Sequence, residues 1–306
     1  MNDMGFMRVK VFRFDPTKDQ NPYYETYEIP YEKDMRVLDA LVSIREIHDC
    51  NLAFRHSCRR RRCGMCGMLV NGKAVLACHE AAFSDMVVEP LPKLPVIRDL
   101  IVDTKSYEQK INELRPYLER KKAETEPELI KPYDMLPLRQ LQTCIECYLC
   151  MSVCPVLELG WPGFAGPSAL VQMARRALDP RDLLERTAER TDNNFVDCVS
   201  CYSCVNVCPV KINVLEDAVE PLKAQRQKKV IGRWARFNSV FVELVRDRAL
   251  VNPTVWMLKA FSIPVLFNNI FVGVRFLMKG KISLKSKNVP NIEDIKKIYK
   301  ATEVKK

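Results

Sequence analysis

The sequence predicts an α+β chain: a small domain of strands around one helix, then an all-helical domain that runs into a basic helical extension. Three observations predict this. Alternating β-formers dominate the first part, helical periodicity takes over after residue 136, and twelve of the 13 cysteines fall into tight groups, one in the first part and two in the second.

Residues 6–14 (FMRVKVFRF) and 24–30 (YETYEIP) alternate and are rich in β-formers, which predicts a hairpin. Over 35–48, Val37, Leu38, Leu41, Ile44 and Ile47 share one helical face. Short strands are expected at 67–70 and 74–77, joined by the turn pair Asn71-Gly72, and another at 86–89. The first domain is therefore placed at 1–104. A charged helix and linker follow at 105–135, including ERKKAETEPELIKP. The helical domain is placed at 136–230. Within it, 167–179 and 182–190 carry helix periodicity between two cysteine segments. The extension, 231–306, reads as helices broken at Pro253 and Pro264 with a basic end at 281–306.

The N-terminal stretch MNDMGFMRVKVF has no signal-peptide apolar core. Cysteines in x2 and x3 spacing without export signals favour metal or iron–sulfur ligation in a reducing compartment over disulfides. The charge is lopsided: the chain is +10 overall, yet residues 221–306 hold 19 Lys/Arg against 5 Asp/Glu. No nucleic-acid motif accompanies that charge, so the expected contacts are an acidic subunit or anionic lipid, not nucleic acid. The apolar stretch 260–274 is shorter than the ~20 residues a span needs and contains Pro264, Asn268 and Asn269, so no transmembrane helix is expected.

Cys58, Cys63, Cys66 and Cys78 follow C-x4-C-x2-C-x11-C. The x4 and x2 spacings match the plant-type 2Fe–2S loop, in which four thiolates hold two irons. Gly64 and Gly67 let the loop wrap closely by removing a Cβ where backbone N–H groups approach sulfur. Arg59 to Arg62 add positive charge beside an anionic cluster. The rival is a zinc ribbon, which ordinarily shows two C-x2-C pairs. This loop, followed by EPLPKLPVIRDLIVD (89–103), resembles the iron–sulfur subunit of succinate dehydrogenases and fumarate reductases, as does FAGPSALVQMARRALDPRD (164–182). The resemblance covers about 6–220. It implies a 2Fe–2S β-grasp ferredoxin domain followed by an α-helical ferredoxin domain, passing electrons between an FAD-containing flavoprotein subunit and a quinone or other acceptor. It also implies a place on the cytoplasmic face of the cell membrane, held there by partner subunits; no residue falls in a recognisable general-acid, general-base or nucleophile motif, so no catalytic residues are expected.

Two runs repeat C-x2-C-x2-C-x3-C-P: Cys144, Cys147, Cys150, Cys154, Pro155 and Cys198, Cys201, Cys204, Cys208, Pro209. In the two-cluster ferredoxin pattern the fourth cysteine of each run serves the other cluster. One 4Fe–4S cluster is then expected on Cys144, Cys147, Cys150 and Cys208, and a second on Cys154, Cys198, Cys201 and Cys204. In the usual family member the position matching Cys201 is not cysteine and the cluster is 3Fe–4S. Here Cys201 makes a second 4Fe–4S the expectation and 3Fe–4S the alternative. Two zinc sites would also use eight thiolates.

The family's quinone-site pattern is not matched either: Trp161 stands nearer to Gly166-Pro167 than in the family, and Val199 follows Cys198 where the family has histidine. Trp161 is expected in a core or an interface. The tail (235–300) extends beyond the family's usual end and resembles that of the small iron–sulfur subunit of heterodisulfide reductases, which pairs with a protein carrying CCG motifs. This chain has no CCG, so the expected partners are a flavoprotein subunit and either a membrane anchor or a CCG-motif subunit. The alternative function is a heterodisulfide reductase-like or other flavin dehydrogenase complex; the bland reading of the tail is a solubilising cap. Cys50 is expected to pack as a small apolar residue. His48, His56 and His79 are given no role, with His79 solvated.

Overall fold

The fold comes from a computed structural model that describes residues 5–120, 130–161, 163–184, 186–189, 197–228, 232–260, 274–275, 278–279 and 291–302. Most of the linker at 121–129, the centre of the apolar stretch (261–273) and most of the basic end lie outside the described residues. The chain forms two compact units, Met1–Lys223 and Ala224–Lys306.

The first unit opens with a five-stranded sheet ordered β2-β1-β5-β3-β4. β1 (Phe6–Arg13) and β2 (Tyr23–Pro30) pair antiparallel, with Val9 opposite Tyr27. Alternation sends Met7, Val9 and Val11 inward, and the intervening side chains outward. β3 (Gly67–Val70) and β4 (Lys73–Leu76) form a hairpin on Asn71-Gly72, both at positive φ (48° and 75°), as a two-residue mirror-image turn requires. β5 (Met86–Glu89) runs parallel to β1 and antiparallel to β3, so the chain must cross over between β1 and β5. Helix α1 (Val37–Ile47) lies in that crossover and buries Val37, Leu38, Ala40, Leu41 and Ile44 in the unit's core.

A second ribbon, β6 (Val96–Arg98) with β7 (Ile101–Val102), was not foreseen. Strands this short carry too little alternation to be read in sequence. Arg13 ties this ribbon's turn to the sheet. Its guanidinium bonds Asp99 (3.1 Å), Glu25 (2.9 Å), Asp49 and Tyr27, while Asp99 also accepts the N–H groups of Phe14 and Ala53. A nearly buried charge is tolerable only with such partners.

Helix α2 (Lys105–Glu113) leads out of the sheet. The helical part follows as a 3₁₀ turn (Pro132–Met135), α3 (Leu136–Leu141), α4 (Leu149–Ser152), α5 (Pro155–Glu158), α6 (Pro167–Ala177), α7 (Arg186–Glu189) and α8 (Ser203–Val207). A π-helical turn (Val214–Val219) then runs into α9 (Glu220–Lys228). α6 is buried without interruption from Pro167 to Ala174, so it is the axis of this part and not a surface helix. One apolar core runs from β1 through α4 and α6 to Leu222, joining sheet and helices.

In the second unit α10 (Gly232–Arg248) packs on α11 (Pro253–Ala260), with Pro253 opening α11, where its missing N–H costs nothing. Trp256 lies against Phe237 (ring centroids 3.9 Å apart) and donates its indole N–H to the Phe237 carbonyl. Helix α12 (Ile292–Thr302) follows. No helix among the described residues is long and apolar enough to cross a membrane.

Candidate iron–sulfur centres

The cysteine loops share a backbone device. Arg59 (φ 51°), Arg61 (56°) and Gly64 (71°) alternate into the left-handed region, as do Glu146 (50°) and Tyr148 (59°), and Ser200 (53°) and Tyr202 (63°). Such alternation curls successive N–H groups toward one concave side and makes a nest for anionic groups, sulfur clusters among them. None of the non-glycine positions holds Asn, Asp or His, the residues that favour that conformation, which is why sequence reading missed the device.

In the first loop the Cys58 sulfur accepts N–H bonds from Arg60 (3.4 Å), Arg62 (3.3 Å) and Cys63 (3.3 Å). Those bonds, led by Arg60, lower the Cys58 pKa to about 7. Cys66 is buried and its pKa is pushed up to about 12, first by burial and further by its neighbours Cys78 and Cys63. The four cysteines of the first group thus meet at one place. Arg59, Arg60 and Arg62 are exposed, and Arg61 lies 2.8 Å from the exposed ring of His79.

The glycines of this loop do something the sequence did not disclose. A Cβ on Gly64 would stand 2.6 Å from the Ile145 carbonyl oxygen and 3.0 Å from the Cys147 Cα; one on Gly67 would lie 3.2 Å from the Cys147 oxygen. The missing side chains therefore let the first cysteine loop lie directly on the second. This adds a contact between loops to the close wrapping that was expected.

The two repeated runs adopt matching conformations. Tyr148 and Tyr202 start α4 and α8 with dihedrals of (59°, 8°) and (63°, −1°), and Cys154 and Cys208 end their turns at (−76°, 118°) and (−67°, 115°). Burial pushes the Cys147 pKa up to about 12 and the Cys150 thiol well above its usual value. Cys144 and Cys208 reinforce both shifts. Burial likewise lifts Cys204 to about 12, reinforced by Cys198, Cys201 and Cys154. Each run thus meets the last cysteine of the other, Cys208 beside Cys144 and Cys147 and Cys154 beside Cys204, while Cys150 also lies near enough to Cys204 to feel its charge. Cys154, Cys198, Cys201 and Cys204 line one small cavity of about 20 Å³, partly open to solvent and walled by Val156, Phe164, Leu170 and Leu215.

These donors fit clusters. Among the described residues no three Cys, His, Asp or Glu side chains converge on a single-ion point, whereas Cys154, Cys198, Cys201 and Cys204 surround a cavity. Thiols this buried cannot ionise together without a cation, and bound iron supplies that charge.

Two further side chains belong to this region. Tyr107 of α2 and Tyr148 are buried with ring centroids 5.8 Å apart, and Tyr107 lies close enough to Cys154 and Cys150 to feel their charge. Lys93 donates to the Cys154 carbonyl at 2.9 Å. Neither carries a motif. Cys50 is a correction: it is exposed, because Asp49 accepts the Asn51 N–H in a turn after α1 that faces Cys50 outward. Trp161 is 53% exposed and so is not core, Val199 is 65% exposed, and His79 is solvated as expected.

Residues 8–109 match the 2Fe-2S iron-sulfur cluster binding domain family and residues 140–212 the 4Fe-4S dicluster domain family. The chain is 34% identical to the fumarate reductase iron-sulfur subunit of Haemophilus influenzae over 249 residues, 75% of this chain and 94% of that one. The chain belongs to the succinate dehydrogenase/fumarate reductase iron–sulfur subunit family. Within the family it is also 39% identical to a fumarate reductase (CoM/CoB) subunit of Methanothermobacter marburgensis, over 74% of this chain. It spans less than half the length of that relative and of two uncharacterised iron-sulfur relatives. Among solved structures, a chain of the Mycobacterium smegmatis Sdh1 complex in the apo form aligns with TM-score 0.69 and 26% identity, covering 74% of this chain and 97% of that one. The 2Fe–2S and 4Fe–4S cofactors and the order of the two domains agree with the sequence reading.

Proposed function

We propose that the chain is the electron-transfer subunit of a succinate dehydrogenase/fumarate reductase-type complex, relaying electrons between a flavoprotein subunit and a quinone- or thiol-linked partner. Cys58, Cys63, Cys66 and Cys78 hold a 2Fe–2S cluster; Cys144, Cys147, Cys150 and Cys208 hold one 4Fe–4S; and Cys154, Cys198, Cys201 and Cys204 hold the other. The clusters supply one-electron redox chemistry, and this chain's residues position them, exclude water and set their electrostatics. The proposed division is 1–104, 105–135, 136–230 and 231–306. The complex lies peripherally on the inner membrane face through its partners.

The observation that carries this reading is the cavity of four cysteines drawn from both runs, with Cys201 among them. Anaerobically purified protein is expected to contain about ten iron atoms, with matching sulfide. Stoichiometric zinc with negligible iron overturns the reading.

A second reading makes the complex heterodisulfide reductase-like, with a thiol–disulfide couple as acceptor. The similarity to a subunit named for CoM/CoB favours it. Subunits that co-purify with the native complex distinguish the two: a membrane anchor supports a quinone, and a CCG-motif protein supports a disulfide.

A further inference from the structure

The two cysteine runs are conformational copies, but their outer faces meet different fates. In the first copy Tyr148 is buried and Ile145 and Cys147 are half-buried. Gly64 of the 2Fe–2S loop lies on the Ile145 carbonyl and the Cys147 backbone, and Tyr107 packs on Tyr148, which is 9% exposed. Their counterparts by position and backbone angle are Val199, Cys201 and Tyr202. These stand in the open: Val199 is 65% exposed, Tyr202 47%, and Cys201 is the sole exposed member of the twelve cysteines in the three groups.

We propose that the Val199–Tyr202 face docks a partner protein's own cluster-binding cysteine loop, by the contact that the first copy makes inside this chain. The internal copy says what shape covers such a face. It is a cysteine loop with glycine at the point of closest approach, because a Cβ there meets backbone, and an aromatic ring laid on the tyrosine. Val199 lines the cavity that holds Cys201, with Tyr202 exposed beside it, so the face corresponding to the covered one of the first copy adjoins that site. The arrangement also brings a second cofactor against Cys201 with no side chain between, as the 2Fe–2S loop is brought against Cys147. The partner class is therefore an iron–sulfur protein rather than a lipid-embedded quinone carrier.

This rests on the reading of Cys201 as a cluster ligand, and the test separates the two. A photo-crosslinking phenylalanine analogue is placed at Val199 in the full chain, and the native complex is irradiated and digested. The expected product joins residue 199 to a partner peptide containing at least three closely spaced cysteines. A cross-link to lipid, to a cysteine-free peptide or to a second copy of this chain overturns the proposal, as does an absence of product. In parallel, Val199→Glu is expected to weaken association of that partner by about tenfold or more, as loss of a central contact does; unchanged association overturns the proposal. Iron content and the resonance spectrum of the same samples report on Cys201 ligation independently. A zinc-loaded protein therefore fails the functional reading, and a 3Fe–4S protein fails the assignment of Cys201 as a ligand, wherever the cross-link falls.

Discussion

Cys201 is exposed, yet it lines the same cavity as Cys154, Cys198 and Cys204. If it is a ligand there, Cys201→Ile removes one thiolate and, with it, one iron. The oxidised variant is expected to show the paramagnetic resonance of a 3Fe–4S centre that anaerobic wild type lacks, while the 2Fe–2S signal is unchanged. A strong 3Fe–4S signal in undamaged wild type makes Cys201 a free thiol instead. Gly64 offers a second test at this scale. It and Gly72 share a left-handed backbone, at φ +71° and +75°, but a Cβ on Gly72 meets nothing within 4 Å. Gly72→Ala is therefore expected to cost only the backbone strain, about 1 kcal/mol. Gly64→Ala adds collision with the Ile145 oxygen, which is expected to cost about 1–3 kcal/mol more and to disturb the neighbouring 4Fe–4S signal. Urea midpoints of the two variants check the difference, and equal midpoints would show that the loops do not pack as described.

Among elements, α6 and the α10–α11 pair differ in how they are held. α6 is buried on all sides over Pro167–Ala174, and Gly166 (φ +91°) at its start lies against Met151, where a Cβ would approach the Met151 Cε to 2.5 Å. The helix is thus anchored by the core that the two cysteine runs share. Among its described side chains the α10–α11 pair buries Val240, Leu244 and Ala260, with Phe237, Val251, Val255 and Trp256 packed against them. A core this small depends on its largest member. Trp256→Ala is expected to destabilise the pair by about 3–5 kcal/mol. Hydrogen exchange is expected to show protection lost over 232–260 while 5–120 keeps its protection. Loss of protection in both regions would show that the units unfold together.

At the scale of the molecule, the charge and apolar exposure of the second unit bear on assembly. Phe241, Val242, Leu250, Met257 and Leu258 are each at least 41% exposed, in a segment whose Lys and Arg far outnumber its acids. Apolar side chains beside basic ones suit an acidic subunit or an anionic headgroup layer. Truncation after residue 230 is expected to release the chain from its complex while leaving cluster content intact, as read by size-exclusion chromatography and iron analysis. A truncated chain that still assembles and stays with the membrane fraction removes the tail from the docking account.

Cysteine spacing alone was enough to name the kinds of cofactor, 2Fe–2S and 4Fe–4S, because a metal cluster constrains its ligands locally and leaves that constraint in the order of residues. Alternation and the Asn71-Gly72 turn likewise disclosed the sheet, since strand period and turn chemistry are local properties. What the sequence left open was everything set by contacts between distant segments. The Gly64 contact with Ile145 and Cys147, the Tyr107–Tyr148 pair and the Arg13 network each join residues whose neighbours in sequence say nothing of the partner. The tertiary structure also decided between two copies of one motif. The runs are alike in spacing and in backbone, but the first is covered by the 2Fe–2S loop and the second faces outward. That asymmetry arises because one sheet domain can pack against only one of two equivalent faces.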